Sequence, residues 1–212
     1  MSIRERTVVL AGATSDSGTV VTRALLNAGA RVVATGRSAD RLAPLRDAGA
    51  RVEVADATSL DSMTGLAARL DDVDGVVSLV GGWRGGGGLA GQSDADFDAL
   101  LPALQAVRAT SRAFDPALRA SDAGRFAIVS STSVARPLAG GANYVAVKAA
   151  SEAWTRAVAQ GFAKAARDAE EPVHSAAVIF RAKMLEPSAL AAALVALWDA
   201  EAAELNDRVI DL

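Results

Sequence analysis

Three side chains in the second half of the sequence could carry out proton chemistry together: Ser131, Tyr144 and Lys148. Tyr144 and Lys148 are four residues apart, so on a helix they share one face, one turn from each other. A phenol ordinarily titrates near pH ~10, outside the useful range. A neighbouring ammonium favours the phenolate, and the spacing therefore predicts a Tyr144 that gives and takes a proton nearer neutrality. Ser131 closes the short apolar run Arg125–Ser131, where a hydroxyl can hydrogen-bond a substrate oxygen and hold it close to the tyrosine. Tyr144 is the one Tyr in 212 residues, and Lys148 is one of only three Lys (with Lys164 and Lys183) among 22 basic residues. In a chain so rich in Ala, Arg and Gly, this pairing stands out.

A second group near the N-terminus has the character of an anion site. Residues Ala11-Gly-Ala-Thr-Ser-Asp-Ser-Gly18 join a β-branched run to a helical one. A dinucleotide turn needs glycine for tightness, for close backbone approach to a pyrophosphate and for helix-on-strand packing. The free N–H groups of the helix start then face the phosphates. Gly12 and Gly18 stand at the first and third of these positions, with Thr14, Ser15, Asp16 and Ser17 between them. The same stretch also suits an ordinary strand-to-helix turn capped by Ser15 or Asp16. At the end of the next run, Thr35-Gly36-Arg37 offers no carboxylate for a ribose 2′-hydroxyl and offers an Arg for a 2′-phosphate, which favours NADP(H) and leaves NAD(H) as the alternative.

These groups need a scaffold, and the hydrophobic pattern supplies one. Apolar runs at 7–12, 31–35, 51–55, 75–80, 125–131, 173–180 and 208–212 read as strands. Helical periodicity marks 18–28, 39–48, 59–70, 94–120, 142–168 and 188–200. Strict alternation of strand and helix, with strands apolar on both faces, predicts βαβ units on a buried parallel sheet. The fold class is α/β: a doubly wound, Rossmann-like, mostly parallel seven-stranded sheet with helices on both faces, one domain over 1–212. The candidate residues then fall at the carboxyl ends of the strands, where open α/β sheets bind ligands.

Composition excludes other chemistry. The chain has no Cys and one His (His174), which removes disulfides, zinc-thiolate sites and a cysteine nucleophile, and leaves no basis for a metal site. A net charge of −3 gives no electrostatic reason to bind nucleic acid or an anionic membrane surface. Met1–Arg6 is polar and the first apolar run is short, so the chain reads as a soluble, cytoplasmic protein.

In motif order, the chain from Thr7 to Leu212 resembles a classical short-chain dehydrogenase/reductase. Gly12 and Gly18 resemble its cofactor turn. Asp56, in Val54-Ala-Asp-Ala-Thr58 with Ala57 beside it, resembles the acid that meets the adenine. Val80-Gly81-Gly82 lies where the family carries Asn-Ala-Gly, Ser111–Pro116 resembles its long fourth helix, and Ser131, Tyr144 and Lys148 match its Ser and Tyr-x-x-x-Lys. The resemblance implies a carbonyl–alcohol oxidoreductase in which Tyr144 is the acid/base and Ser131 orients the carbonyl. Lys148 would tune the phenol and hold the nicotinamide ribose. It also implies a homodimer or homotetramer built through helices 94–120 and 142–168, the second of which carries the small residues Ala146, Ala149, Ala150, Ala153 and Ala157.

The departures from the family pattern are as specific as the matches. Asp16 replaces the middle glycine of the cofactor turn. No Asn stands near Ala103 or Leu104 to support a proton relay. The Pro-Gly and long lid that the family usually carries after the sixth strand are replaced by Phe180-Arg-Ala-Lys-Met-Leu-Glu-Pro187. The Gly81–Gly91 loop is the candidate replacement lid, with Trp83 placed to cover a ring and Arg84 to meet an anionic substrate group; Ser133 is a further candidate substrate contact. The same loop also reads as a solvent-exposed connection. Two other functions follow from these departures: a non-catalytic or regulatory subunit that pairs with an active homologue, and a non-redox lyase or isomerase using the same Tyr and Lys.

Overall fold

The computed structural model describes residues 2–212. Seven strands alternate with helices: β1 (Thr7–Ala11), α1 (Asp16–Asn27), β2 (Arg31–Gly36), α2 (Ala39–Asp47), β3 (Arg51–Val54), α3 (Leu60–Ala67), β4 (Gly75–Ser78), α4 (Asp94–Ala120), β5 (Arg125–Ser131), α5 (Ala142–Ala169), β6 (Ala176–Ala182), α6 (Pro187–Val195), α7 (Ala202–Leu205) and β7 (Arg208–Asp211). They form one sheet in the order β3-β2-β1-β4-β5-β6-β7, and every neighbouring pair is parallel. The expected α/β doubly wound sheet is present, with no antiparallel edge. The order turns back between β1 and β4, which opens the crevice that such sheets use for ligands.

Two apolar layers cover the sheet. On one face Val8, Leu10, Val32 and Ala34 meet Val21 and Leu25 of α1, Leu42 and Leu45 of α2, and Leu190 and Leu194 of α6. On the other, Val9, Val33, Val76, Phe126 and Ile128 meet Met63 and Leu66 of α3, Val107 and Phe114 of α4, and Ala159 and Phe162 of α5. The inner strands β1, β2, β4, β5 and β6 therefore bury alternate residues in opposite layers and need continuous apolar runs, whereas the edge strands β3 and β7 are only half-buried and carry Arg51, Glu53, Arg208 and Asp211.

Helix starts follow local rules. Ser15, Ser38, Ser59 and Ser93 each accept a backbone N–H from three residues on, satisfying a donor that the first turn cannot. Several expected boundaries move: α1 begins two residues earlier, at Asp16, α3 ends at Ala67 and β4 at Ser78, short of the expected 70 and 80. β6 begins at Ala176 rather than Val173 and runs to Ala182, because its register against β5 extends from Arg125↔Ala176 to Ser131↔Ala182. The helix expected over 188–200 ends at Val195 and tightens into a 3₁₀ turn, Ala196–Trp198. Trp198 there is fully buried and donates its indole N–H to the Ala123 carbonyl at 3.0 Å. The lid-poor segment after β6 is four residues long, Lys183–Glu186. Among the described residues no helix is long and apolar enough to cross a membrane, and no group of three or more His, Cys, Asp or Glu is placed to hold a metal.

Candidate active site

Gly12 ends β1 with φ +82°, a left-handed conformation that turns the chain sharply, and a Cβ there would come within 2.8 Å of Val80 Cγ2. Gly18 sits one turn into α1, where a Cβ would meet the Ala13 carbonyl oxygen at 2.2 Å. These two glycines make the turn and let α1 pack on β1. Ser15 Oγ caps the helix by accepting Gly18 N–H at 3.1 Å, so the capping role falls to Ser15. Asp16 is exposed and lines neither cavity described below.

The larger cavity, about 400 Å³, runs along the carboxyl ends of β1–β4. It is bordered by Gly12, Thr14, Ser15, Arg37, Asp56, Ala57, Val80, Gly81 and Gly82, and by Arg41 and Arg84. Asp56 Oδ1 accepts the Thr58 N–H at 2.9 Å and its hydroxyl at 2.7 Å. These bonds hold the carboxyl below its usual range, with the Arg37 charge adding to the effect. Arg41 is a site residue that the pattern reading missed. It lies one turn beyond Arg37 on α2, and its guanidinium donates to the Thr14 carbonyl at 3.0 Å; the Arg-x-x-x-Arg spacing was the available signal. Arg84, a candidate substrate contact, borders this cavity with Arg37 and Arg41, and its Nε lies 4.0 Å from Asp96 at the start of α4.

A smaller cavity, about 250 Å³, adjoins the first across Ser15 and Leu79–Gly82. Ser17, Trp83, Ser130, Tyr144, Lys148, Lys183 and Leu185 complete its walls. Tyr144 and Lys148 stand one turn apart near the start of α5, with Nζ 5.7 Å from the ring centroid. Ser131, the last residue of β5, stands beside Tyr144 and acts on its phenol; its Oγ accepts the Ser133 N–H at 3.2 Å, and it lies just behind the cavity wall that Ser130 forms. Ser133 thus supports Ser131 and borders neither cavity.

The electrostatics differ from the expectation for Tyr144. Burial pushes the phenol up, opposed by the neighbouring Ser131 hydroxyl. Lys148 is not among the groups that shift it, and Nζ donates to the Val129 carbonyl at 2.7 Å. Burial lowers Lys148 itself to about 8, with the nearby Glu152 carboxylate acting in the opposite direction.

The Gly81–Gly91 loop is docked rather than free. Gly86 N–H donates to the Gly140 carbonyl at 2.7 Å. The Gln92 amide donates to the carbonyls of Gly86, Gly88 and Gly140 at 3.0–3.2 Å, while its oxygen accepts the Asn143 N–H at 3.1 Å. The loop is therefore tied to the turn that leads into α5, one residue before Tyr144. Leu89, Leu138 and Met184 are exposed on the segments that follow β4, β5 and β6.

Comparison with known proteins agrees with this architecture. The profile of the short chain dehydrogenase family matches residues 6–166. No curated protein matches the chain. Among solved structures, a metagenomic short-chain oxidoreductase in complex with NADP is 24% identical with a TM-score of 0.80, over 100% of this chain and 98% of that one. A short-chain type dehydrogenase/reductase from Mycobacterium ulcerans is 18% identical with a TM-score of 0.84, over 100% and 90%. At these identities the structures speak to the fold alone, whereas the profile covers β1 through most of α5, the span that holds Gly12, Ser131, Tyr144 and Lys148. The chain belongs to the short chain dehydrogenase family.

Proposed function

We propose that the protein is an NADP(H)-preferring oxidoreductase that interconverts a carbonyl and an alcohol. The observation that carries this reading is that Tyr144 and Lys148, with Ser131 next to Tyr144, stand at a cavity that continues into one flanked by Arg37 and Arg41. The donor set fits a phosphorylated dinucleotide. The capped start of α1 and the Gly12 turn would hold a pyrophosphate, Asp56 an adenine edge, Arg37 and Arg41 a 2′-phosphate, and Lys148 a ribose. When bound, the nicotinamide supplies or takes the hydride.

The chain's own residues handle the oxygen and the proton. The Ser131 hydroxyl donates to the substrate oxygen and fixes it next to the phenol. Half-buried Tyr144 keeps its proton at neutral pH, which is the form that protonates a nascent alkoxide during reduction. Trp83 borders the catalytic cavity, where it would cover a ring, and Arg84 borders the larger one, where it would join the arginines at the phosphates. Ala146, Ala150, Ala153 and Ala157 form an exposed small-residue stripe on α5, which supports pairing of two chains through α4 and α5. Of the departures that favour a non-catalytic subunit, Asp16 weighs less, since it is exposed and lines neither cavity; the absent Asn residues and the short segment after β6 remain.

Titrating NADPH into the protein while following nicotinamide fluorescence tests the proposal. Saturable binding, weakened at least about tenfold by Arg37→Glu, and carbonyl reduction abolished by Tyr144→Phe with binding retained, are the expected results. No binding at millimolar NADPH overturns the oxidoreductase reading. Full turnover in Tyr144→Phe removes the acid/base assigned to Tyr144.

A further inference from the structure

Beneath Lys148 lies a charged assembly that the proton chemistry does not use. Glu152 is one turn further along α5 and is 4% exposed. Its Oε1 accepts Ser130 Oγ at 2.6 Å and Arg181 Nε at 2.8 Å, and its Oε2 accepts Arg181 Nη2 at 2.5 Å. Ser130 precedes Ser131 at the end of β5, and Arg181 pairs with it across the sheet near the end of β6. One carboxylate therefore ties together the two strand ends that border the catalytic cavity and the helix that carries Tyr144 and Lys148. A buried charge is costly unless it is paired and hydrogen-bonded; here the pairing lies one helical turn from an ammonium that is itself buried.

We propose that Glu152 is a positioning residue of this site: with Arg181 and the Ser130 hydroxyl it fixes the ends of β5 and β6 against α5, and its carboxylate is the counter-charge that sets the charge state of Lys148. The proposal rests on the oxidoreductase reading for what Lys148 does, not for how Lys148 is held.

The surroundings of the two groups are few. Around Lys148 stand Tyr144 on the same helix, the Val129 carbonyl and Ser130 on β5, and Lys183 after β6. The segment after β4 lines the same cavity with Leu79–Gly82 and Trp83, none of them charged, and a Cβ on Gly81 would lie 3.5 Å from Nζ. Glu152 faces Arg181 from β6 and Arg156 from its own helix, and Arg156 also pairs with Asp207 at 3.0 Å. Asp211 on β7 bears on Arg181 from the far side. Glu152 is the carboxylate that acts on the lysine, and it opposes the effect of burial there.

This arrangement makes predictions of opposite sign. Removing Glu152's charge leaves burial unopposed, so Glu152→Gln moves the Lys148 midpoint to lower pH by about one pH unit. Removing Arg181's charge leaves the carboxylate facing the lysine alone, so Arg181→Gln moves it to higher pH. A pair that serves only as a strut behaves differently. Either change then loosens the site, admits water and moves the midpoint upward.

The experiment uses the full chain without cofactor or substrate, with lysine isotope-labelled at the ε-carbon. The three lysines give three titrating signals, and the one lost in Lys148→Met is Lys148. A lower midpoint in Glu152→Gln and a higher one in Arg181→Gln support the proposal. An unchanged or raised midpoint in Glu152→Gln overturns it. If Glu152→Gln fails to fold, the Glu152→Gln/Arg181→Gln double variant is read instead: a midpoint below wild type supports the proposal, while an unchanged or higher midpoint, or a second failure to fold, overturns it. Because no cofactor is present, a protein that binds no NADPH refutes the oxidoreductase reading and leaves this titration to be judged separately.

Discussion

Lys148 keeps a positive charge in a place that water hardly reaches, and that placement has a thermodynamic signature. Its folded-state value is pulled by burial from 10.5 to about 8. Between those values the unfolded chain binds a proton that the folded chain does not, so this group makes stability rise with pH through that window. Below it, folding must carry a buried ammonium. Replacing Lys148 with Met, which is similar in length and uncharged, is therefore expected to stabilise the fold at neutral pH by about 1–3 kcal/mol, with the gain shrinking as the pH approaches 10.5. Denaturant midpoints for both proteins across this range measure the effect. A stabilised protein without turnover is the pattern expected where function rather than stability keeps a residue in place. The Tyr-Lys spacing was legible in the sequence. The direction of the Tyr144 shift was not, because it depends on how deeply the ring is buried and on the neighbouring Ser131, and spacing carries neither. Likewise, the step from Lys148 to Glu152 was on view, but its partner Arg181 lies 29 residues away on another strand.

Among the elements, the loop after β4 behaves least like its composition. Its run of glycines reads equally as a lid or as a solvent-exposed connection, and the residue that decides is Gln92, outside the run. Its amide closes three carbonyls and one N–H, two of these groups belonging to a turn some 50 residues further along. Gln92→Ala is expected to accelerate amide hydrogen exchange over 85–91 by roughly tenfold or more, the loss of about one or two net hydrogen bonds. Exchange in β1, β4 and β5 should be unchanged. Mass-resolved exchange reads both regions at once, and acceleration spread over the strands would mean that Gln92 supports the fold rather than the loop. The strands and helices themselves were legible, since a strand buried on both faces has few ways to be written. β6 was misplaced at its start because Val173 is a β-branched residue set apart from the apolar run by His174 and Ser175; what fixes the start is pairing of Ala176 with Arg125 on a neighbouring strand. Arg41 and Gln92 escaped notice because polar residues in an Arg-rich chain acquire meaning only from what they touch.

Across the whole molecule, parallel strands sort the tasks by end. At the amino end, Arg6 pairs with Asp74 at 3.0 Å and also with Asp122, and Asp74 accepts Thr7 N–H and Ser121 Oγ. Fully buried Arg125 donates to the carbonyls of Gly124, His174, Leu197 and Ala200, which pins the C-terminal segment to the sheet. Burial draws this guanidinium down to about 10. Arg125→Met leaves those carbonyls without their donor and is expected to cost about 2–4 kcal/mol of unfolding free energy, while NADPH affinity, measured below the unfolding transition, stays within about twofold. A parallel loss of affinity would show that the two ends are coupled.

β5 makes the separation concrete, for it begins with Arg125 and ends with Ser131. Six steps of strand rise put the clamp and the hydroxyl about 20 Å apart. Substitutions at that distance combine nearly independently. Variation is then inherited in two nearly unlinked sets: the loops at the carboxyl end can be rewritten for a new substrate by trial and error, and the losses in stability that such trials incur can be restored at the other end without revisiting the chemistry.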